Sequence, residues 1–405
     1  MSEVRINEFF ASRQYSLQFI KIIFKYLGIW SIVSSDATKF DRTFTFIIIP
    51  ILICAMLFTF VPCIVNMIIG DVDASAIVQF TGPLNYCTTN FLKYCILLYQ
   101  SGTIRHCFDH IQSDWAMIDR EEDVKMMLYY TKFSRILTIF CGVAIYISGL
   151  SYNLVYPIGM ILFYSSNDST RILVYQGHEI YINTQSSPQY EFLLISHALC
   201  GTTLFTLMTG ACNMAATFAG HVYGQVDIIQ SRLECLMNPE KNNQNILESV
   251  HSRVSFIIRA HVRIIKLSSD IENVLSEICL LEVVSSSIII CWLAFHCITG
   301  WSENNAIALV TYVTLLLSLC FNIFTFCIIG EILTQKCASL GYSAYSSQWY
   351  LLSTKESCHF ISFIFMSNRA ITITAGGMMS LNMQNFGGII KTSLVYLNFL
   401  RELTD

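Results

Sequence analysis

The 405-residue sequence is short of charge: Asp, Glu, Lys and Arg make up 13% of it, where soluble domains carry about 25%. It also lacks any basic excess. The net charge is −4, so nothing points to nucleic acid. Catalytic signatures are missing too. There is no G-x-x-x-x-G-K-[ST], H-E-x-x-H or G-x-S-x-G, so neither an enzyme nor a bound cofactor is expected. The 16 cysteines include no C-x-x-C pair and fall almost entirely in apolar runs. They read as small buried hydrophobes rather than a disulfide or zinc framework, and no metal site is expected. The nine histidines are scattered. His296 next to Cys297, and His221 alone in an apolar run, are read as packing groups before metal ligands. No cleavable signal peptide is expected, because the first long apolar run begins near Phe44, behind a charged segment.

What is present is apolar: 54% of residues are hydrophobic and the mean hydropathy is +0.54. The runs predict membrane-spanning helices at 44–69, 75–99, 133–162, 190–223, 278–299 and 306–332. Pro50 and Pro62 are candidate kinks in the first. Lys93, near the end of the second, is expected to snorkel toward water. Within the segment 1–43, apolar residues at helical spacing over 9–30 (Phe19, Ile20, Ile22, Ile23, Phe24, Leu27) fit either an interfacial amphipathic helix or a helix packed on the cytoplasmic side. Apolar periodicity in 224–270 predicts helices continuing into the cytoplasm. The apolar stretch 358–401 is too long for one crossing: as a helix it would measure roughly 65 Å, about twice a bilayer. With Arg369 and Gly376-Gly377 inside it, it should divide. A cytoplasmic helix is expected at 360–374, within a cytoplasmic segment 333–378, and the last span at 382–401.

The expected fold is therefore an all-α membrane protein with seven transmembrane helices. Its orientation follows from Lys and Arg. With the N-terminus cytoplasmic, the outer segments hold only Arg171 and Arg401, Lys93 and Lys391 lie in the membrane, and the other 20 of the 24 basic residues fall inside. The C-terminus is then extracellular. The single N-x-[ST] sequon, Asn167-Asp-Ser169, also falls outside, which makes Asn167 a candidate glycosylation site.

Two sets of residues are candidates for function. In the outer half of the spans, Phe80, Leu84, Ser148, Tyr152, Phe192, His197, Gly201 and Tyr312 fall at similar depth. They would suit a small, mostly apolar ligand, and ordinary interhelix packing explains them equally well. In the last span, Gln384, Gly388, Lys391, Val395, Asn398 and Glu402 form a stripe along one side of a helix. A polar stripe on a membrane helix faces either a water-filled path or protein.

The C-terminal residues also carry a resemblance. Gln348-Trp349-Tyr350, Thr374-Ala-Gly376, Ser380-Leu-Asn-Met-Gln-Asn-Phe386 and Ile389-Ile-Lys-Thr-Ser393 followed by Tyr396 resemble the insect odorant receptor family, as does Leu27-Gly-Ile-Trp30. The resemblance implies an odorant-gated, non-selective cation channel in the plasma membrane of an olfactory sensory neuron dendrite. A tuning receptor would assemble with an odorant receptor co-receptor into a heterotetramer around a pore formed by the last helix, with a small volatile odorant bound in the outer half of the bundle. Carried over, Phe399 would stand at the gate, Glu402 at the outer mouth and Val395 one to two turns inward, with Asn398 the alternative to Phe399. The connection before the fifth span is shorter than the co-receptor's, so the chain looks like a tuning receptor. Lys391 departs from what a cation path favours. The last span, Thr392-Ser-Leu-Val-Tyr-Leu-Asn-Phe399, departs from the Thr-Tyr…Gln-Phe signature of the gustatory receptors. A G-protein-coupled chemoreceptor is the alternative class, although the sequence has no Asp-Arg-Tyr after the third span and no Asn-Pro-x-x-Tyr in the seventh. A secondary transporter would need internal repeats and mid-membrane acids, and neither is expected here.

Overall fold

Several helices run much longer than a bilayer requires. The structure, a computed structural model, describes residues 3–69, 74–118, 120–164, 171, 173–236, 250–302, 305–369 and 371–404. The helices are α1 (Glu3–Tyr26), α2 (Trp30–Val33), α3 (Lys39–Ile69), α4 (Ala74–Tyr99), α5 (Ser101–Ala116), α6 (Glu121–Leu150), α7 (Tyr156–Tyr164), α8 (Gln189–Glu234), α9 (Val250–Ser302), α10 (Ala306–Ser346), α11 (Thr354–Ser367) and α12 (Met383–Thr404). A π-helical turn, Ser151–Val155, joins α6 to α7. At about 1.5 Å per residue, α8, α9 and α10 measure roughly 70, 80 and 60 Å, so each extends well past a hydrocarbon core of about 30 Å. Among the described residues, five helical stretches are long and apolar enough to cross a membrane: α3, α6 continuing through α7, α8, α9 and α10. α4 and α12, 26 and 22 residues long, are not in that group.

α8 is the central helix and packs against α6, α10, α9, α1, α3 and α4. Its middle is built of Gly, Ala, Thr and Cys, and nearly every residue from Thr203 to Gly224 is buried. Small side chains let neighbouring backbones approach. α1 packs on this centre rather than standing apart: Leu17, Ile20, Phe24 and Leu27 are buried while Ile22 and Tyr26 are exposed. Phe24 meets the Phe108 ring edge-on at 6.3 Å. Gly28 closes α1 at φ +72°, a left-handed turn suited to glycine. The hydroxyl of Thr45 donates to its carbonyl at 2.9 Å.

Farther along α8, a charged cluster ties the helices together. Asp114 of α5 takes hydrogen bonds from Arg263 Nε at 2.8 Å and His221 at 3.0 Å. Burial would raise the Asp114 carboxyl, but the bonds from His221 and Arg263 outweigh it and hold the group below its ordinary range. Arg232 pairs with Asp123 at 2.5 Å and Lys336 with Asp227 at 2.5 Å.

The stretch 358–401 does divide, at the glycine pair. α11 begins with a capping box on Ser353 and Glu356 and ends at Ser367, earlier than the expected 374. Thr374 instead starts a two-stranded hairpin, Thr374–Ala375 with Met379–Ser380. Gly376 and Gly377 turn it at φ +63° and +69°, values that strain other residues. The hairpin is fixed to α9, with Thr374 N–H donating to Glu272 at 2.9 Å and Gly376 N–H to the Ser276 carbonyl at 2.9 Å. At Gly330 of α10 a Cβ would lie 2.4 Å from the Leu381 carbonyl oxygen, so the absence of a side chain lets α12 begin directly against α10.

Candidate ligand cavity and closing helix

A cavity of about 520 Å3 lies between α3, α4, the π-helical turn, the segment 173–176, α9 and α10. Small-molecule sites are commonly about 300–1,000 Å3. Its rear wall is set by Gly82 and Trp292. A Cβ on Gly82 would lie 2.3 Å from the Trp292 ring, so only glycine lets the indole lie flat on α4. Trp292 Nε1 then donates to the Val78 carbonyl at 2.6 Å. The π turn widens the helix, and Tyr152 and Tyr156 share one side of it, their rings stacked at 6.2 Å. Both reach Tyr312 of α10, at 6.3 and 5.9 Å. Tyr312 also meets Trp292 edge-on at 5.9 Å and stacks on His296 at 5.2 Å.

An inner chamber of about 70 Å3 adjoins this cavity and shares Pro83, Tyr152, Tyr175 and Trp292 with it. Gly149 shapes this chamber: a Cβ there would lie 2.3 Å from Phe205 Cζ.

Of the residues expected to touch ligand, Phe80, Leu84, Tyr152 and Tyr312 line the outer chamber, and Ser148 and Tyr152 the inner one. Phe192, His197 and Gly201 do not line either. Phe192 is 65% exposed and continues in an outward stripe with Ile195 and Leu199, the 3-and-4 spacing of a lipid-facing side. His197 is buried behind the wall, its ring 5.2 Å from Tyr175 and 5.0 Å from His178. Gly201 packs against Asn153, whose Nδ2 a Cβ would meet at 2.7 Å. Tyr156, Tyr175, Trp292 and His296 were not foreseen as lining residues. Trp292 and His296 had a usable signal, an i, i+4 aromatic pair. Tyr175 sits in an aperiodic segment and had none. That segment is fixed by His178, whose Nε2 lies 3.1 Å from the Phe58 carbonyl. Burial keeps the His178 imidazole below its ordinary value despite this bond. Asn167 lies outside the described residues.

Below the inner chamber, Lys93 does not snorkel. It is 3% exposed and paired with Glu282 of α9, itself 2% exposed. Asn322 Nδ2 donates to the same carboxylate at 2.5 Å, and Cys141 Sγ lies 3.3 Å from Asn322 Oδ1. Four helices therefore meet on one buried polar centre. Glu282 lies four residues after the start of the expected fifth span, 278–299, and Lys93 six before the end of the second, 75–99. A buried partner at hand, rather than distance to water, decides where a long charged side chain goes.

α12 packs on α9 and α10. Ile389, Ser393 and Leu397 are buried at i, i+4, i+8, while Leu394, Val395, Tyr396 and Phe399 are exposed. Gln384, Gly388, Lys391, Asn398 and Glu402 are exposed as well. The whole polar stripe therefore faces away from this chain.

Long apolar helices around an aromatic-lined cavity define a multi-pass membrane protein with a candidate small-molecule site. A family model described as 7tm Odorant receptor matches residues 74–394, and the chain belongs to this family. It is similar to Odorant receptor 13a of Drosophila melanogaster, 24% identical over 225 residues covering 50% of this chain and 53% of that protein. It is 22% identical to Odorant receptor 10 of Aedes albopictus over 55% of this chain and 58% of that one. The match to Odorant receptor Or2 of Anopheles gambiae is 20% identical over 77% and 80%. The chain spans about half the length of the first two relatives. Among solved structures, the insect olfactory receptor OR5 from Machilis hrabei in complex with eugenol superposes with a TM-score of 0.81. It is 14% identical and covers 98% of this chain and 100% of that one. Another structure of the same receptor gives 0.74 at 15% identity, covering 97% and 99%. At such identities the likeness shows the fold.

Proposed function

We propose that this chain is the odorant-binding subunit of a heteromeric, ligand-gated, non-selective cation channel, assembled with an odorant receptor co-receptor in the plasma membrane. In this reading seven helices cross the bilayer, α4 and α12 included, with the N-terminus cytoplasmic and the C-terminus outside. The long inner halves of α8, α9 and α10, with α11, form the cytoplasmic anchor. A small volatile ligand binds against Phe80, Leu84, Ser148, Tyr152 and Tyr312, and α12 lines the pore, with Val395, Asn398, Phe399 and Glu402 along it. The observation that carries the reading is the aromatic-lined cavity in a chain of this family. A likeness of fold to a receptor solved with eugenol supports an organic ligand of similar size.

Ligand contact can act on α12 because α10 bears both ends of the connection. Tyr312 faces the cavity, and about 18 Å farther along the helix Phe324 meets Phe386 at 5.6 Å. A ligand that favours one placement of α10 would bias α12. The test is current recording from cells co-expressing this chain and a co-receptor under a broad volatile panel, repeated with Tyr152→Ala and Tyr312→Ala. Changed tuning in both variants is expected. Unchanged tuning and sensitivity in both would mean that the cavity is not the ligand site.

A further inference from the structure

The two chambers differ in chemistry. The inner one is walled by carbon, chiefly Tyr86, Phe205, Met208 and Leu315. Its Ser148 hydroxyl is already committed to the Ala144 and Ile145 carbonyls at 2.8 and 3.1 Å. At about 70 Å3 it is several times the roughly 10–15 Å3 that one water occupies on this measure, and apolar cavities stay dry. An entering ligand therefore places its apolar part there.

The outer chamber holds polar groups, and the ones beside the shared wall are mostly paired. Trp292 Nε1 donates to the Val78 carbonyl. Asn305 Oδ1 accepts from the Ala308 amide at 3.1 Å. Among the described lining residues, His296 alone carries a polar atom that is both buried and unpaired. Its neighbours are the rings of Trp292, Phe295 and Tyr312, at 4.4, 5.6 and 5.2 Å. Its Nε2 is buried without a hydrogen-bond partner among the described residues. A buried polar atom left unpaired is unfavourable, and a ligand hydroxyl that the imidazole turns to meet relieves that cost.

Granting the receptor reading above, we propose that the cavity is tuned to a small aryl alcohol or phenol, with its ring in the inner chamber and its hydroxyl paired with the His296 imidazole. A hydroxyl both donates and accepts, so it satisfies the ring nitrogen in either tautomer. An ether or carbonyl oxygen only accepts, and a hydrocarbon does neither. The rings lining the inner chamber favour an aromatic partner through edge and offset contacts. Trp292 forms the shared wall, so one molecule spanning both chambers lies against it.

The probes are matched triads: 2-phenylethanol with its methyl ether and with propylbenzene, and 4-ethylphenol with its methyl ether and with 1,4-diethylbenzene. Dose–response currents are measured in cells co-expressing the chain with a co-receptor, and thermal stabilisation by the same compounds is measured on the purified chain. In the wild type, each hydroxyl compound should act at about tenfold lower concentration than its ether and hydrocarbon partners. His296→Phe should remove that ratio whatever it does to the overall response, and His296→Gln, which keeps a donor and an acceptor, should retain part of it. Equal potency across the wild-type triads overturns the proposal. So does an equal loss for all three compounds in both variants, which is the signature of a packing role. If His296→Phe fails to reach the cell surface, the ratio in His296→Gln decides. Responses confined to the ethers and hydrocarbons reject the hydroxyl preference and leave the receptor reading standing. Neither current nor stabilisation from any of the six compounds overturns the proposal, and a response to other members of the broad panel then leaves the receptor reading standing.

Discussion

Replacing Lys93 with methionine would strand a carboxylate in the middle of the protein. Glu282 accepts from Lys93 Nζ, from Asn322 Nδ2 at 2.5 Å and from the Ser286 hydroxyl at 3.4 Å. If the Lys93 contact were worth only an ordinary interhelix hydrogen bond, its loss would cost about 0.6 kcal/mol, and about 1.7 at most. If the charge matters, removing the ammonium leaves Glu282 uncompensated, a cost of about 3–5 kcal/mol. The prediction is therefore a loss of about 3–5 kcal/mol for Lys93→Met. Most of it should be recovered in Lys93→Met/Glu282→Gln, whose neutral amide still accepts from Asn322. Thermal unfolding of the four members of the cycle in detergent measures this, with surface expression as a second readout. Additive effects, or a single variant as stable as the wild type, would show that the pair carries no charge-dependent stability.

Gly149→Ala places a methyl 2.3 Å from Phe205 Cζ, so Phe205 must move into the inner chamber. Responses to ligands with bulky apolar ends should fall at least tenfold relative to small ones at unchanged surface level, as dose–response curves on such a pair would show. Asp114 has its carboxyl held below the ordinary 3.8. The stability it contributes is therefore complete above that value and is lost as pH falls through the lower folded value. Asp114→Asn should cost about 1–2 kcal/mol at pH 7, discounted because Arg263 is one-third exposed, and should flatten the acid limb of a melting-temperature profile. Phe399→Ala should raise the resting current of the assembled channel. If it changes neither resting current nor gating, Asn398 is the better gate residue and the pore-facing side of α12 lies about 100° away.

The sequence carried the helices well, because long apolar runs and a 3.6-residue period are local signals. It also located the break at Gly376-Gly377, where the conformational demand belongs to single residues. It could not carry what depends on rotation about a helix axis. On α8, Phe192 turns outward, His197 is buried behind Tyr175, and Asn153 of the π turn fills the space at Gly201. The cavity opens instead toward α9 and α10. Nor could it show that Lys93 and Glu282, 189 residues apart in sequence, are partners. Each alone looks like a charge to be explained away, and only the packed structure makes them one neutral unit.

If α12 crosses the membrane as proposed, its orientation argues that this chain is not a complete membrane unit. Lys391, Asn398 and Glu402 are all exposed on a single copy. A Lys or Asp carried to the middle of a lipid-facing helix costs about 2.5–3.5 kcal/mol by insertion scales, so lipid is an unfavourable neighbour for the charged part of this stripe. The opposite side of the same helix is already occupied, with Ile389, Ser393 and Leu397 buried against α9 and α10, so the helix cannot simply roll to hide it. Water or another subunit must cover the stripe, and the exposed Leu394, Tyr396 and Phe399 beside it suit protein better than water. A helix with one side fixed to its own bundle, an apolar strip and a polar strip has three different neighbours to satisfy. Subunits arranged around an aqueous path supply all three, which supports the pore reading over the packing one. Cysteines placed singly at 391, 394, 395 and 398 would sort the neighbours. A water-soluble thiol reagent should modify the pore-facing positions in the open channel, and oxidation should link the subunit-facing ones. Uniform protection of all four from the soluble reagent would put the stripe against protein and remove the aqueous path from this helix.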